Sequence, residues 1–346
     1  MIPRSLLVVA VVGAVVASLS GCSVPSAPAP ASSSPAPEGA SPTPAAEAQG
    51  DPLPTLPLAC GDFFSERAAS DLLFLPVTLK VSETAVRSTF VAAALQGGAT
   101  RCIWGADDKT DNGWDQTIVL EVLPDGAQAF DTNVWQVDDG AIVYPDGSTT
   151  SEYLCTTVEA TYAGCFANVL VDGYWAHVSV QTGGTDMSLT REAVEANLRT
   201  IVDSVTAAIS GAGPPRPDWI VPSGVLAGAL CAGQTLGDDS TVGSIAAGRA
   251  GVLQCTVGGN SVSVLPGGAW ALAPILANGQ PTYSVSSLEQ IEIAGADAAA
   301  WGCGDGCYAF FSIGGSLVSL YSGDVYDGSA FTPTFEGFVA EVVAAG

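Results

Sequence analysis

One histidine, His177, stands in 346 residues, and lysine occurs only at Lys80 and Lys109. Those shortages exclude much chemistry. A nucleophile activated by an imidazole has a single candidate base, and no G-x-S-x-G turn is present to hold a serine at a strand-to-helix elbow. Neither a P-loop nor a G-x-G-x-x-G fingerprint occurs, so no phosphate-cradling loop is readable. Ten Lys and Arg stand against 35 Asp and Glu, a net charge of -25. Such a surface repels phosphate backbones and anionic headgroups, which argues against nucleic acid and against a polybasic membrane contact. No catalytic residue is nominated and no cofactor is expected.

What is present begins at the N-terminus. Arg4 precedes the apolar run Leu6–Ala17 (LLVVAVVGAVVA), which is too short to span a bilayer and has the length of a signal-peptide core. The run closes on Leu19-Ser20-Gly21-Cys22, similar to the lipobox of bacterial lipoproteins. In that reading residues 1–21 are a lipoprotein signal peptide and Cys22 is lipidated. The acyl chains would anchor the protein at roughly 0.8 kcal/mol per buried CH2. Residues 22–57 are rich in Pro, Ala, Ser and Thr and read as a disordered tether. At about 3.1 Å per residue its reach is on the order of 100 Å.

From residue 58 the chain writes itself twice. VLPDGAQAF at Val122–Phe130 returns as VLPGGAWAL at Val264–Leu272, 142 positions later, and Cys165 and Cys307 are separated by the same 142. Two markers in one register indicate a duplication. The stretches before each VLP read as strands ended by the proline, which has no N–H for the ladder, and short helices follow. Each copy closes on a helix-like segment. In the first, Val194, Leu198, Ile201, Val202 and Val205 follow helical spacing, with Ser188 or Thr190 as N-cap. GAGPPRPDW at 211–219 separates the copies. The expectation is an α+β fold of two similar repeats, 58–211 and 217–346, joined by a connector at 212–216. Each repeat is an antiparallel sheet packed by a terminal helix and stabilised by disulfides.

Eight cysteines remain after Cys22, four per copy, in a chain read as exported. Pairing within copies leaves nine of the 105 connectivities that eight cysteines allow. Order along each copy suggests Cys60–Cys102, Cys155–Cys165, Cys231–Cys255 and Cys303–Cys307. Zinc would need those thiolates kept reduced, and the chain offers only one histidine.

Leu-Ala-Cys60 before a probable helix, followed by Arg-Cys102-Ile-Trp104 on a strand, resembles a domain of unknown function in actinobacterial envelope lipoproteins, in which Cys…Cys-x-Trp recurs. The resemblance covers the first copy; in the second, Cys255 is followed by Thr256 and Val257. It implies an envelope location, disulfides and an α+β fold, and it assigns no activity.

The copies differ most between their second cysteine and the VLP element, where the first has 11 extra residues in GADDKTDNGWDQ. That loop carries Asp107, Asp108, Asp111, Trp114 and Asp115, near Trp104. Clustered carboxylates repel unless solvated or bridged, and Ca2+ accepts such ligands. The EF-hand template fails, however: with Gly113 as its glycine, Asp108 takes position one and Val119 falls where the bidentate Glu belongs. Trp104, Trp114 and Trp175 are candidate aromatic binding platforms. His177 alternates away from Ala176 and Val178, on the face with Trp175 and Ser179, and reads as a surface or edge residue. The composite expectation is a non-catalytic lipoprotein on the outer face of the cytoplasmic membrane, held by its lipid and binding a small ligand or an envelope protein. The alternative is a cell-wall hydrolase using paired carboxylates.

Overall fold

The computed structural model describes residues 50–106, 116–133, 151–159, 162–183, 189–220, 231, 241–278, 288–304, 306–323 and 328–345. Residues 1–49, which hold the expected signal peptide, Cys22 and most of the expected tether, and the acidic loop 107–115 lie outside the described residues. Residues 50–346 form one compact unit. No helix among the described residues is long and apolar enough to cross a membrane.

The fold is α+β, with two antiparallel sheets of six strands. The first half runs α1 (Cys60–Phe63), α2 (Glu66–Leu73), β1 (Thr78–Val81), α3 (Thr89–Gln96), β2 (Thr100–Gly105), β3 (Thr117–Leu123) and α4 (Ala127–Asn133). It continues with β4 (Ser151–Glu159), β5 (Tyr162–Val171), β6 (Tyr174–Gly183) and α5 (Arg191–Ser210). The second half runs α6 (Val242–Arg249), β7 (Leu253–Val257), β8 (Asn260–Leu265), a 3-10 turn at Gly268–Ala271, and α7 (Leu272–Asn278). It ends with β9 (Glu289–Ile291), β10 (Ala298–Gly304), β11 (Gly306–Ile313), β12 (Ser316–Ser322) and α8 (Gly328–Ala345). The sheet orders are β1-β2-β3-β6-β5-β4 and β7-β8-β12-β11-β10-β9. Five strands therefore follow one order in both sheets, with β1 added at one edge of the first and β9 at the opposite edge of the second.

Local chemistry accounts for the elements. The Thr190 side chain accepts from the Ala193 N–H to start α5, whose Val194, Leu198, Ile201, Val202 and Val205 are buried. β5 and β6 are joined by Asp172-Gly173, both at positive φ (48° and 85°), the requirement of a type I′ hairpin. Gly314-Gly315 (53° and 78°) serves β11 and β12 in the same way. The four disulfides are Cys60–Cys102, Cys155–Cys165, Cys231–Cys255 and Cys303–Cys307.

One face of the first sheet packs its Ala176, Val178 and Val180 with the apolar stripe of α5. The second sheet packs Val262, Val318 and Leu320 with Phe335, Phe338, Val339 and Val342 of α8. Between the sheets the two halves share their interior. One cluster joins Val86, Ala92, Ala93 and Leu95 to Ala247, Leu265, Phe310 and Leu317; another joins Leu123, Phe130 and Trp175 to Val242 and Ala246. Helices α3 and α6 meet there through small residues. A Cβ on Gly97 would lie 2.1 Å from the Ala246 carbonyl oxygen, and one on Gly243 would lie 2.9 Å from the Phe90 ring. The contact is reciprocal. Gln96 donates to the Pro266 carbonyl, while Arg249 of α6 donates to the carbonyls of Pro124 and Asp125. The two prolines are those of the twin VLP elements.

The structure corrects the tether boundary. Residues 50–57 belong to the fold, because Leu56 is buried in the first core and the Thr55 N–H bonds to the Gly98 carbonyl at 3.0 Å. Arg216 of the connector donates to the Pro54 carbonyl at 2.9 Å. A proline-rich stretch can pack when a guanidinium takes up its main-chain acceptors and one leucine reaches the core.

Candidate functional site

The aromatic residues offered as platforms are core residues. Trp104 is 1% exposed, with its ring centroid 4.1 Å from that of Phe64. Trp175 is 3% exposed, meets Phe130 edge-on at 6.2 Å and donates its indole N–H to Asn168 Oδ1 at 2.9 Å. Their flat faces are used for packing, which removes both from any binding surface. Asp107, Asp108, Asp111, Trp114 and Asp115 lie outside the described residues. Among the described residues no group of three or more His, Cys, Asp or Glu could hold a metal ion.

His177 lies on the face with Trp175 and Ser179, but on β6 in the middle of the sheet and not at its edge. Its Nδ1 is 2.8 Å from Asn168 Oδ1. Since an amide oxygen can only accept, that contact puts the ring proton on Nδ1. Burial lowers its pKa to about 4, so the imidazole is neutral at physiological pH.

Strand register aligns four polar side chains across that face: Arg101, Glu121, His177 and Asn168. Glu121 Oε1 lies 3.2 Å from Arg101 Nε. Burial raises the Glu121 pKa, while the charge and hydrogen bond of Arg101 and the N–H of Gly243 oppose that shift. Gly243 is in the first turn of α6. The carboxylate of one half thus caps a helix of the other, where the helix dipole favours negative charge. The matching strands of the second sheet carry Gln254, Ser263, Ser319 and Phe310 in the same register. Arg101 and Glu121 escape a motif search. Setting Glu121 against Ser263, 142 positions on, would have exposed the substitution. Being mutually paired, these charges join the halves and do not await a ligand.

An open groove lies where the connector crosses the junction of the halves. Its larger lobe has a volume of about 570 Å³ and includes Asp125, Asp172, Tyr174, Ile209 and Asp218. A lobe of about 280 Å³ shares Pro124, Asp125 and Asp218 and adds Gln96, Trp219 and Arg249. Arg216 and Arg249 direct guanidinium N–H groups to main-chain carbonyls. The Tyr174 pKa is raised, first by burial and then by the charges of Asp125 and Asp218, so the phenol stays protonated as a donor. Asp125 and Asp172 have φ of 47° and 48°, where the second half has Gly267 at 67° and Gly314 at 53°. The first half therefore places carboxylates at two left-handed turn positions that glycine fills without strain in the second. The groove offers carboxylates, a phenol and an apolar wall, a combination suited to holding a ligand. Sequence reading missed it because its residues come from two turns, the connector and α5.

Comparison with protein-family models, curated proteins and solved structures finds no match.

Proposed function

We propose that this chain is an exported, lipid-anchored protein of the cell envelope, built from two copies of one α+β unit, and that it binds a small ligand or an envelope partner without catalysing a reaction. The observation that carries the binding reading is the groove at the junction. Its volume falls in the range of ligand sites, about 300–1,000 Å³, and it combines apolar wall with a few polar groups. Export is supported by four disulfides among the nine cysteines, since such bonds persist on the oxidising side of a membrane. The same strand order in both sheets supports the duplication. A non-catalytic role accords with a single imidazole that is neutral and bonded to Asn168.

Asp125, Asp172 and Asp218 on one groove favour a second reading, a wall hydrolase using a carboxylate pair. The two readings separate on one set of variants. With a photo-crosslinking residue at Tyr174, the binding reading expects a discrete adduct in envelope preparations that is lost in Asp125→Lys. It also expects no release of sugars or peptides from purified cell wall. Wall turnover abolished by Asp125→Asn would instead establish the hydrolase, and the absence of any adduct would remove the groove as a binding site. Anchoring is tested separately: Cys22→Ala should move the protein from the membrane to the soluble fraction, and its retention in the membrane would defeat the lipoprotein reading.

A further inference from the structure

Asp125, Asp172 and Asp218 bring three exposed carboxylates to the junction groove from three segments of the chain. The turns that carry the first two are tied together, because the Gly126 N–H donates to the Gly173 carbonyl at 2.7 Å. The connector that carries Asp218 is fixed in turn by the Arg216 N–H, which donates to the Thr55 carbonyl at 2.7 Å. Tyr174, half-buried, opens β6 just after Asp172-Gly173. Burial first, and then the charges of Asp125 and Asp218, raise its pKa, so two of the carboxylates project their field onto this ring.

The cations of the groove are already engaged. Arg249 donates through both terminal nitrogens to the carbonyls of Pro124 and Asp125, and Arg216 donates to those of Pro54 and Leu56. These guanidinium groups hold the walls together, and among the described residues none of the three carboxylates is ion-paired. Every Lys and Arg after Arg4 belongs to the described residues except Lys109. The loop that holds Lys109 joins β2 to β3 at Gly105 and Thr117, the end of that ladder opposite the one leading into Asp125. The negative balance of the groove therefore stands on charges that are present and placed.

The duplication shows what has been added to the scaffold. At 142 positions further on, Asp125, Asp172 and Tyr174 are matched by Gly267, Gly314 and Ser316. Both glycines keep the left-handed backbone of the aspartates, so the turns form without these side chains. What the first half gains at one place is negative charge and an aromatic ring.

That combination selects an occupant by charge. An ammonium group donates charge-assisted hydrogen bonds to carboxylates and is attracted by the face of a phenol ring. The rest of such a ligand can pack on Leu56, Ile209 and Pro215 of the wall. An anion would meet three carboxylates and two guanidinium groups already engaged, and would approach against the field of a chain of net charge -25. The volume of about 570 Å³ suits a small molecule. We propose that the junction groove binds a small organic cation, an amine on an apolar body, with its ammonium group held by Asp125 and Asp218 beside Tyr174. The proposal rests on reading the groove as a binding site and adds the charge of its occupant.

The test is titration calorimetry of the full-length protein in an uncharged detergent, with phenethylamine and cadaverine as probes. Phenethyl alcohol and pentanediol are their neutral counterparts, and hydrocinnamate and glutarate the anionic ones. At least one amine should bind at one site, about tenfold or more tighter than its alcohol, and neither anion should bind. Asp125→Asn and Asp218→Asn should each weaken the amine about fivefold or more. Asp125→Gly, which installs the residue found at the matching turn of the second half, should weaken it as much without disturbing the fold. Asp297→Asn, outside the groove, should leave binding unaltered. The amine should also displace the adduct formed by a photo-crosslinking residue at Tyr174. An alcohol or anion that binds as tightly as its amine, amine binding unaltered in Asp125→Asn and Asp218→Asn, or two amines that neither bind nor displace the adduct would overturn the cationic ligand. In those cases an adduct that still forms at Tyr174 would keep the groove as a binding site, whereas its absence would remove both readings.

Discussion

Glu121 and His177 are neighbours in register whose burial pulls stability in opposite directions with pH. Burial raises the Glu121 pKa above its ordinary 4.5, so the folded chain holds that proton more tightly than the unfolded chain. Its contribution is therefore present below pH 4.5 and is lost as pH rises through the folded value. His177 is lowered from 6.5 to about 4; its contribution is complete above pH 6.5 and is lost as pH falls through 4. Urea denaturation between pH 4 and 8 should show His177→Gln losing the acid-side decline of the wild type. A slope in that window as steep as the wild type's would show that the ring is not desolvated as described. Glu121→Gln should gain stability relative to the wild type as pH rises above 4.5, after allowance for the constant loss of the Arg101 pair.

At the scale of elements, the α3–α6 crossing makes the sharpest demands. Gly97→Ala puts a methyl against the Ala246 carbonyl, a main-chain atom that cannot turn aside, and should cost about 1–3 kcal/mol. Gly243→Ala meets the edge of Phe90, a ring able to shift, and should cost less. Gly248 in the same helix has open space around its Cβ position, so Gly248→Ala should stabilise by about 0.5–1 kcal/mol. Thermal and urea midpoints of the three variants should fall in that order. If Gly97→Ala melts with the wild type, the close approach of the two helices is wrong. Gln96 makes a different kind of contact, donating to Pro266 and accepting from the Trp270 indole at 2.9 Å. Gln96→Ala should cost about 1–3 kcal/mol by leaving that buried acceptor unmet.

For the whole molecule, shared clusters between the sheets predict one unfolding transition by calorimetry, with equal calorimetric and van't Hoff enthalpies. Two separated transitions would show that the halves fold independently. Reduction should lower the melting temperature, each bridge contributing about 2–4 kcal/mol. The acidic loop is a separable part. The Ala106 N–H bonds to the Gln116 carbonyl at 3.3 Å, so the chain ends flanking residues 107–115 are already adjacent. Replacing those residues by Gly-Asn should leave the melting temperature nearly unchanged, since loop length is thermodynamically cheap at a closed hairpin. If the loop binds calcium, titration calorimetry should show a one-site isotherm in the wild type and none in the replacement.

Features set by neighbours along the chain were legible in the sequence. The stripe of α5 needs only a 3.6-residue period; the hairpin at Asp172-Gly173 needs only two residues tolerant of positive φ; and the disulfides join cysteines in chain order within each half. What the sequence did not determine is which faces meet. Helices α3 and α6 are short, alanine- and glycine-rich and buried on several sides, so no polar stripe shows their direction, and only folding brings Gly97 against Ala246. Trp104 and Trp175 look the same in a sequence whether they cover a ligand or fill a core, because an aromatic side chain does both by the same dispersion and apolar burial. The pairing of Glu121 with the start of α6 and the groove at the connector each join segments tens to more than a hundred residues apart. Local pattern has no term for such distances; packing between the sheets decided them.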